Sequence, residues 1–500
     1  MPSKLLAKKP LKTIMAEASE AGEHSLKRSL GPINLVTLGI GAIIGAGIFV
    51  LTGTAAAQFA GPAIVLSFVI AGIGCVFAGL CYAEFASMIP ISGSAYTYGY
   101  ATMGEIVAWI IGWALVLEYA FGAATVAVGW SGYVTGLLRY FGITIPFNPT
   151  PKGHISLFGS TLPVQVDIFA MAAIVVITII LVIGVRESAN FNTTAVVIKV
   201  SVVLIFIGLA VAFAAANWSH MTANWHPFIP KNTGTFGQFG WSGIMRGAGV
   251  VFFAYIGFDA VSTAAQESKN PQKDMPFGIL GSLIICTTLY IIVAALLTGL
   301  KNYTTLNTAA PVADGAVVIG VNWGVVIVDI GAIAGLASVM LVMLLGQSRV
   351  LYTMAHDGLL WNWVSKVHGR FRTPYLTSIV VGAFVAFLAA FFPIVFLAKL
   401  VSLGTLLAFT IVCLGVCIMR VKQPDAPRPF RTPWVPVVPI LGMIISIALM
   451  LSLDAPAWIG FACWLIFGLI IYFSYSVKHS RVQRERALAQ RQEPAPERAQ

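Results

Sequence analysis

Charge is what this chain has least of. Lys, Arg, Asp and Glu make up 10% of its 500 residues, where a soluble domain uses roughly a quarter to keep its surface wet. Between Glu23 and Glu84 there is no acidic residue at all. A mean hydropathy of +0.88 with 58% hydrophobic residues leaves lipid as the main solvent. Soluble enzymes and soluble binding domains are thereby excluded. The six cysteines (Cys75, Cys81, Cys286, Cys413, Cys417, Cys463) all fall inside apolar runs, so no disulfide framework is expected. Cys413 and Cys417 share a helix face but have no His or acidic neighbour to complete a metal site. We read all six as small apolar packing residues. The seven histidines (His24, His154, His220, His226, His356, His368, His479) lie outside the apolar runs. No nucleophile–base pair or metal cluster gathers at one depth, so neither an enzyme, a metal nor a bound cofactor is expected. The first thirty residues are polar and basic without a small-residue cleavage site, so no cleavable signal is expected.

What the chain does have is length in apolar runs. A spanning helix takes about 20 mostly apolar residues, and twelve runs qualify: roughly 33–58, 62–86, 103–138, 165–184, 192–216, 241–264, 277–300, 318–351, 375–392, 396–419, 436–453 and 458–476. The predicted fold class is an all-α polytopic membrane protein. An even count puts both termini on one side. With the termini in the cytoplasm, 22 of the 30 Lys and Arg fall in cytoplasmic tails and loops, four (Arg139, Lys152, Lys231, Lys301) fall outside, and four lie in or beside spans. That is the positive-inside bias of a multi-pass protein of the inner (cytoplasmic) membrane. It accounts for the +11 charge without nucleic acid as a partner. Residues around Leu5 to Met15 read as a short basic amphipathic helix on the inner leaflet or as a solvated tail. Residues 480–500 read as a frayed basic helix running into a disordered end.

Glycine marks two places where helices should break. The first run contains Gly39-Ile-Gly41-Ala-Ile-Ile-Gly45-Ala-Gly47, four glycines in nine residues. At membrane depth irregular backbone is tolerated only where it is buried in protein or lines a cavity. A close small-residue helix contact is the plainer alternative. A nucleotide loop is excluded, because no strand precedes and no acidic residue follows about 20 positions on. The sixth run is interrupted at Gly247-Ala-Gly249 and again at Gly257, with Asp259 just beyond. Runs one and six are five apart, so two five-helix repeats would have opposite topologies. Matching breaks in inverted halves point to the central site of a transporter.

Ionisable residues at membrane depth each ask for a reason, since one charge there opposes insertion by about 2.5–3.5 kcal/mol. Glu118 lies midway along the third run, Lys199 in the fifth between apolar neighbours, and Asp259 beside the second break. These are the functional candidates. Structural pairing, and for Lys199 snorkelling to the interface, are the alternatives. Asp329, Arg246, Arg349, Glu84 and Lys399 lie nearer run ends and read as structural or gating pairs.

Four segments resemble one known family: Gly39 to Phe49 (GIGAIIGAGIF), Tyr82 to Tyr96 (YAEFASMIPISGSAY), Ala254 to Asp274 (AYIGFDAVSTAAQESKNPQKD) and Gln347 to Leu359 (QSRVLYTMAHDGL). The chain looks like a bacterial member of the cationic amino acid transporter group, within the amino acid–polyamine–organocation superfamily, over about residues 27–475. The resemblance implies the leucine-transporter fold: discontinuous helices 1 and 6, five-plus-five inverted repeats over 31–216 and 241–419, peripheral helices 11 and 12 over 436–476, and cytoplasmic tails at 1–30 and 477–500. It implies that a substrate carboxylate meets the amides of Ala46 and Gly47, as a helix N-terminus would favour. The α-ammonium would meet carbonyls of Ile43, Phe253, Ala254 and Ile256, with Glu118 and Asp259 at the side-chain end. Lys199 matches the family's fifth-helix lysine, standing where sodium-coupled relatives hold an ion. An ammonium there excludes Na⁺ and can change its proton occupancy, so H⁺ is the implied coupling ion. Met340 and Met343, three residues apart, are candidates for limiting side-chain length, though plain packing is the commoner use. Ala46 has no hydroxyl, so only its amide can serve.

The expected function is therefore proton-coupled symport of L-amino acids, cationic, small neutral or both. The alternatives are an amino acid/amine antiporter and, in another class, a transporter-like amino-acid receptor. Amino acid and membrane lipid are the expected partners; the sequence does not say whether a small single-span accessory subunit joins them.

Overall fold

The computed structural model describes residues 6–9, 30–89, 94–143, 153–157, 160–164, 166–183, 188–369, 371 and 373–484. Its main helices are α1 (Pro32–Ile43), α2 (Ile64–Met88), α3 (Glu105–Tyr140), α4 (Ile168–Ile183), α5 (Ser188–Ala216), α6 (Gly240–Val251), α7 (Pro271–Leu300), α8 (Asn322–His356), α9 (Tyr375–Phe391), α10 (Ile394–Lys422), α11 (Val437–Ser452) and α12 (Ala455–Ile471). Among the described residues, seven helical runs are long and apolar enough to cross a membrane. Four shorter apolar helices, α1, α4, α9 and α11, accompany them. The outermost helices carry apolar side chains on their open faces. On α11, Ile440, Ile444, Ile447 and Leu451 are exposed at a spacing of three to four residues, a stripe that water would not tolerate and lipid does. The chain is an integral membrane protein.

The expected all-α class holds, with one short hairpin added between two of the helices. Strands β1 (Gly153–Leu157) and β2 (Ser160–Val164) pair antiparallel, Gly153 opposite Val164, between α3 and α4. The segment is too short and polar to span, and its Ile155, Thr161 and Val164 favour extended backbone. Short helices at Ser94–Thr102 and Pro311–Ile319 fill the gaps between apolar runs.

The core is a long central α3 of 36 residues gripped between α8 and α10, with α7 laid against α1 and α2. Small residues bring α8 onto α5. A Cβ at Gly335 would stand 3.1 Å from the Lys199 Cβ, and one at Gly331 would overlap Val202, the two glycines being four apart on one face.

The tails are docked rather than free. Ala7 is 1% exposed; its carbonyl accepts the Glu105 amide at 3.0 Å. Lys9 pairs with Asp357 at 3.0 Å. From the other end, Gln483 donates to Glu105 at 2.6 Å and Ser480 donates to the same carboxylate, which also accepts Tyr100 and Tyr472 at 2.9 and 3.1 Å. Residues 6–9 are not helical, and Ala7 is buried, so neither the leaflet-helix nor the solvated-tail expectation describes them; residues 481–484 are helical, as expected, with Ser480 and Val482 buried and Arg481 and Arg484 exposed. The remainder of both segments, and residues 10–15, lie outside the described residues.

Candidate functional site

Two helices lose their regular backbone where they meet. α1 ends at Ile43; Ile44 is extended (φ −72°, ψ 103°), and Gly47–Leu51 resumes as a π-helical turn. α6 tightens into a 3₁₀ turn at Phe252–Tyr255, then opens at Ile256 (φ −62°, ψ 136°). Gly257 follows at φ +113°, a conformation that favours glycine. A short helix then runs from Ala260 to Thr263. The breaks face each other. A methyl group on Gly47 would overlap the Cα of Ala254, and one on Gly257 would come within 2.8 Å of the Ala42 carbonyl group. Glycine is needed at these two positions because backbone meets backbone.

A broken helix leaves carbonyls to be satisfied, and two side chains take those of α1. Lys199, fully buried on α5, donates through Nζ to the carbonyls of Gly41 and of Ile44, the latter at 3.0 Å. A cation is thus seated at the negative end of a helix dipole. Tyr290 on α7, also fully buried, has its hydroxyl 2.8 Å from the Ile43 carbonyl and 2.9 Å from that of Ala254. It reaches both breaks at once. Its ring is set by Phe68 and Tyr255, each with a centroid 5.6 Å away. Nearby, Tyr133 donates to the Phe49 carbonyl at 2.7 Å and Thr52 to that of Gly47 at 3.1 Å.

The residues singled out from sequence fall as follows. Ile43, Ala46, Gly47, Phe253, Ala254 and Ile256 line the two breaks and are buried. The Phe253 carbonyl already accepts the Ile256 amide at 3.2 Å. Glu118 is 1% exposed on α3; its Oε2 accepts Thr405 at 2.7 Å, and its Oε1 has no partner among the described residues. Asp259 precedes the short helix after the second break, and its carbonyl accepts the Ser262 amide at 2.9 Å. Tyr82, Phe258 and Phe409 form an aromatic triad with centroids 5.0–5.7 Å apart. Met343 fills the space next to Gly122, one turn along α3 from Glu118, and Met340 is equally buried.

The residues read as structural have partners elsewhere. Lys399 pairs with Asp454 at 2.6 Å and Arg246 donates to the Ser452 carbonyl at 3.1 Å. Glu84 accepts Arg420 at 3.0 and 2.9 Å and the Thr432 amide at 2.8 Å, with Arg428 at 3.3 Å. Asp329 is buried in the N-terminal half of α8, and Arg349 is exposed. Sequence reasoning missed Tyr290 and Thr405. A signal for Tyr290 existed: tyrosine prefers the membrane interface, yet this one sits in the middle of a spanning run.

The comparisons with known proteins agree with the geometry. A family model described as amino acid permease matches residues 30–485. The chain is 45% identical over 490 residues to a branched-chain amino acid permease of Bacillus subtilis, covering 97% of this chain and all of that one. It is 42% identical over 482 residues to the methylthioribose transporter of the same species, 96% of this chain and all of the other. It is 38% identical over 408 residues to the vacuolar cationic amino acid transporter 4 of Arabidopsis thaliana, 81% of this chain and 65% of that one. Because the family match runs from the foot of α1 to the docked C-terminal segment, the chain belongs to the amino acid permease family of the amino acid–polyamine–organocation superfamily, and it is a transporter, not an enzyme.

Proposed function

We propose that this protein imports L-amino acids by proton-coupled symport across the cytoplasmic membrane, through alternating access of a twelve-span, five-plus-five inverted-repeat fold with both termini inside. The observation that carries the reading is the seat of Lys199, whose ammonium holds the carbonyl end of the first break. A protonated amine brings three donors and a charge to a helix C-terminus; the neutral amine keeps fewer donors and no charge. Proton loss therefore loosens the break that also meets the substrate, and this ties protonation to opening. The substrate's carboxylate lies on the amides of Ala46 and Gly47, where the next helical segment begins. Its ammonium lies on carbonyls of Ile43, Phe253, Ala254 and Ile256. Glu118 and Asp259 face the side chain and favour cationic substrates; Met340 and Met343 limit its length, admitting small neutral ones.

A second reading of the substrate is favoured by the branched-chain name of a relative 45% identical. A protonated Glu118, held by Thr405 among aromatic rings, would suit an apolar side chain.

Uptake of radiolabelled L-arginine, L-alanine and L-valine into proteoliposomes, with an inward proton gradient and no Na⁺, tests both readings. Wild type should accumulate at least one of them, and Lys199→Ala should lose gradient-driven uptake while still binding. A requirement for Na⁺, or an unaffected mutant, would overturn the coupling argument. Valine preferred over both others would select the second reading.

A further inference from the structure

We propose that Tyr290 is a positioning residue of the transport cycle: in the substrate-free protein its hydroxyl ties the two breaks together on the carbonyls that the substrate's ammonium takes over. This rests on the reading that an amino acid binds between the breaks.

The stereochemistry is short of protons. The phenol oxygen has carbonyl oxygens of Ile43 and Ala254 at 2.8 and 2.9 Å, but it carries one O–H. Three electronegative atoms share a single donor, and all three are buried in residues no more than 2% exposed. A buried acceptor without a full donor is a destabilised group. An ammonium brings three N–H donors and a positive charge, so it satisfies this set better than the phenol does. The phenol is therefore a partial substitute: good enough to hold Ile43 and Ala254 against each other when the carrier is empty, and weak enough to yield.

The position of Tyr290 suits that task. It stands on α7, outside both breaks, with its ring against Phe68 of α2 and Tyr255 of the second break. Tyr255, its neighbour in the second break, is anchored separately, donating to the Phe68 carbonyl at 2.7 Å. Lys199 holds different carbonyls of the same helix end, Gly41 and Ile44. The two side chains thus divide the carbonyl end of α1 between them. Lys199 clamps one break to α5; Tyr290 clamps it to the other break.

The consequence is specific to the empty carrier. A transporter working in net uptake must return empty after each release, whereas one exchanging labelled for unlabelled substrate never does. Tyr290→Phe keeps the ring and removes only the O–H. It should slow the empty return and leave loaded steps alone. In proteoliposomes, net gradient-driven uptake by Y290F should fall by about tenfold, the effect of losing one buried hydrogen bond. Counterflow of the same amino acid should stay within about twofold of wild type, and binding should tighten because no hydroxyl competes for the carbonyls.

Equal loss of uptake and counterflow would show Tyr290 to be ordinary packing and overturn the proposal. So would two unchanged rates, or a Y290F protein that does not fold. If the wild type itself shows neither uptake nor counterflow of arginine, alanine or valine, the transport reading has failed, which is a different result from a mutant that loses both.

Discussion

Glu84 is the best place to test whether a buried carboxylate pins the loop after α10. It is 1% exposed near the end of α2; it accepts three hydrogen bonds, from Arg420 Nε and Nη2 and the Thr432 amide, and forms an ion pair with Arg428 Nε at 3.3 Å. Arg428 turns its remaining donors back onto the carbonyls of Met419, Gln423, Pro424 and Ala426. The loop from 423 to 432 is thus wound around one guanidinium and fastened to one carboxylate. Glu84→Gln keeps size but leaves a single acceptor oxygen and turns an NH₂ group toward donors. Breaking a buried pair by removing one partner destabilises by about 3–5 kcal/mol. Arg420 is 26% exposed, so water shares part of its loss, and we take the lower figure, about 3 kcal/mol. At about 1.4 kcal/mol per tenfold, the population of detached loop rises by about a hundredfold. Trypsin reads this directly: Arg431 is exposed while Thr432 is held against Glu84, and cleavage between them requires the loop to lift. In detergent solution, with reclosing faster than cleavage, the rate follows the open population. We expect about a hundredfold faster cutting at Arg431 in E84Q, with transport-site ligands making no difference. A rate within threefold of wild type would refute the reasoning, since the carboxylate would then not be what holds the loop.

Two further substitutions probe the fold around the site. Gly257→Ala forces a Cβ into the left-handed region, about 1–2 kcal/mol, and against the Ala42 carbonyl at 2.8 Å, about 1–3 kcal/mol more. Its apparent Tm in detergent should fall by about 5 °C or more, and Ala42→Gly should not rescue it because the clash is with backbone; an unshifted melt would mean the breaks do not touch there. Glu105→Gln weakens charge-assisted bonds to Tyr100, Tyr472, Ser480 and Gln483, so trypsin should cut after Lys478 about tenfold faster. Mass spectrometry of the released peptide decides it, and unchanged release would mean the C-terminal segment is held by packing alone.

The apolar runs were legible because lipid imposes length and composition on every helix, one residue at a time. Of the two breaks, the first was announced by its glycines at 39, 41, 45 and 47, and the second by Gly257 beside Asp259. What glycine does there was less visible. Gly47 and Gly257 serve an approach between segments more than two hundred positions apart, and no local pattern records a contact at that range. The same holds for Tyr290 and Thr405. Each looks like an ordinary polar residue in an apolar helix until the fold brings a carbonyl or carboxylate against it. The hairpin between α3 and α4 was missed because a span search registers only what is long and apolar. The docked tails were missed for the opposite reason: Lys9, Ser480 and Gln483 are polar residues in polar stretches, and only buried Asp357 and Glu105 make them structural.

The placing of donors around the first break bears on why a transporter would be built this way. The carbonyl end of α1 is held by two protein side chains, Lys199 and Tyr290, neither of which belongs to a broken helix. Each can therefore let go without unfolding its own element. A permanent cap, such as a glycine-ended turn within the chain itself, would satisfy the same carbonyls more firmly and would leave nothing for a ligand to replace. Borrowed donors make the break stable when empty and improvable when occupied, and an equilibrium between conformations shifts only by the difference in how well each state is satisfied. On the function proposed above, a proton on Lys199 and an ammonium on Ile43 and Ala254 would act on one helix end from two sides. If that is correct, Lys199→Ala and Tyr290→Phe will not combine additively. Residues sharing one helix end depart from additivity by about 0.5–3 kcal/mol. A double mutant whose uptake loss equals the product of the single losses would separate the two roles and leave the helix end no part in coupling them.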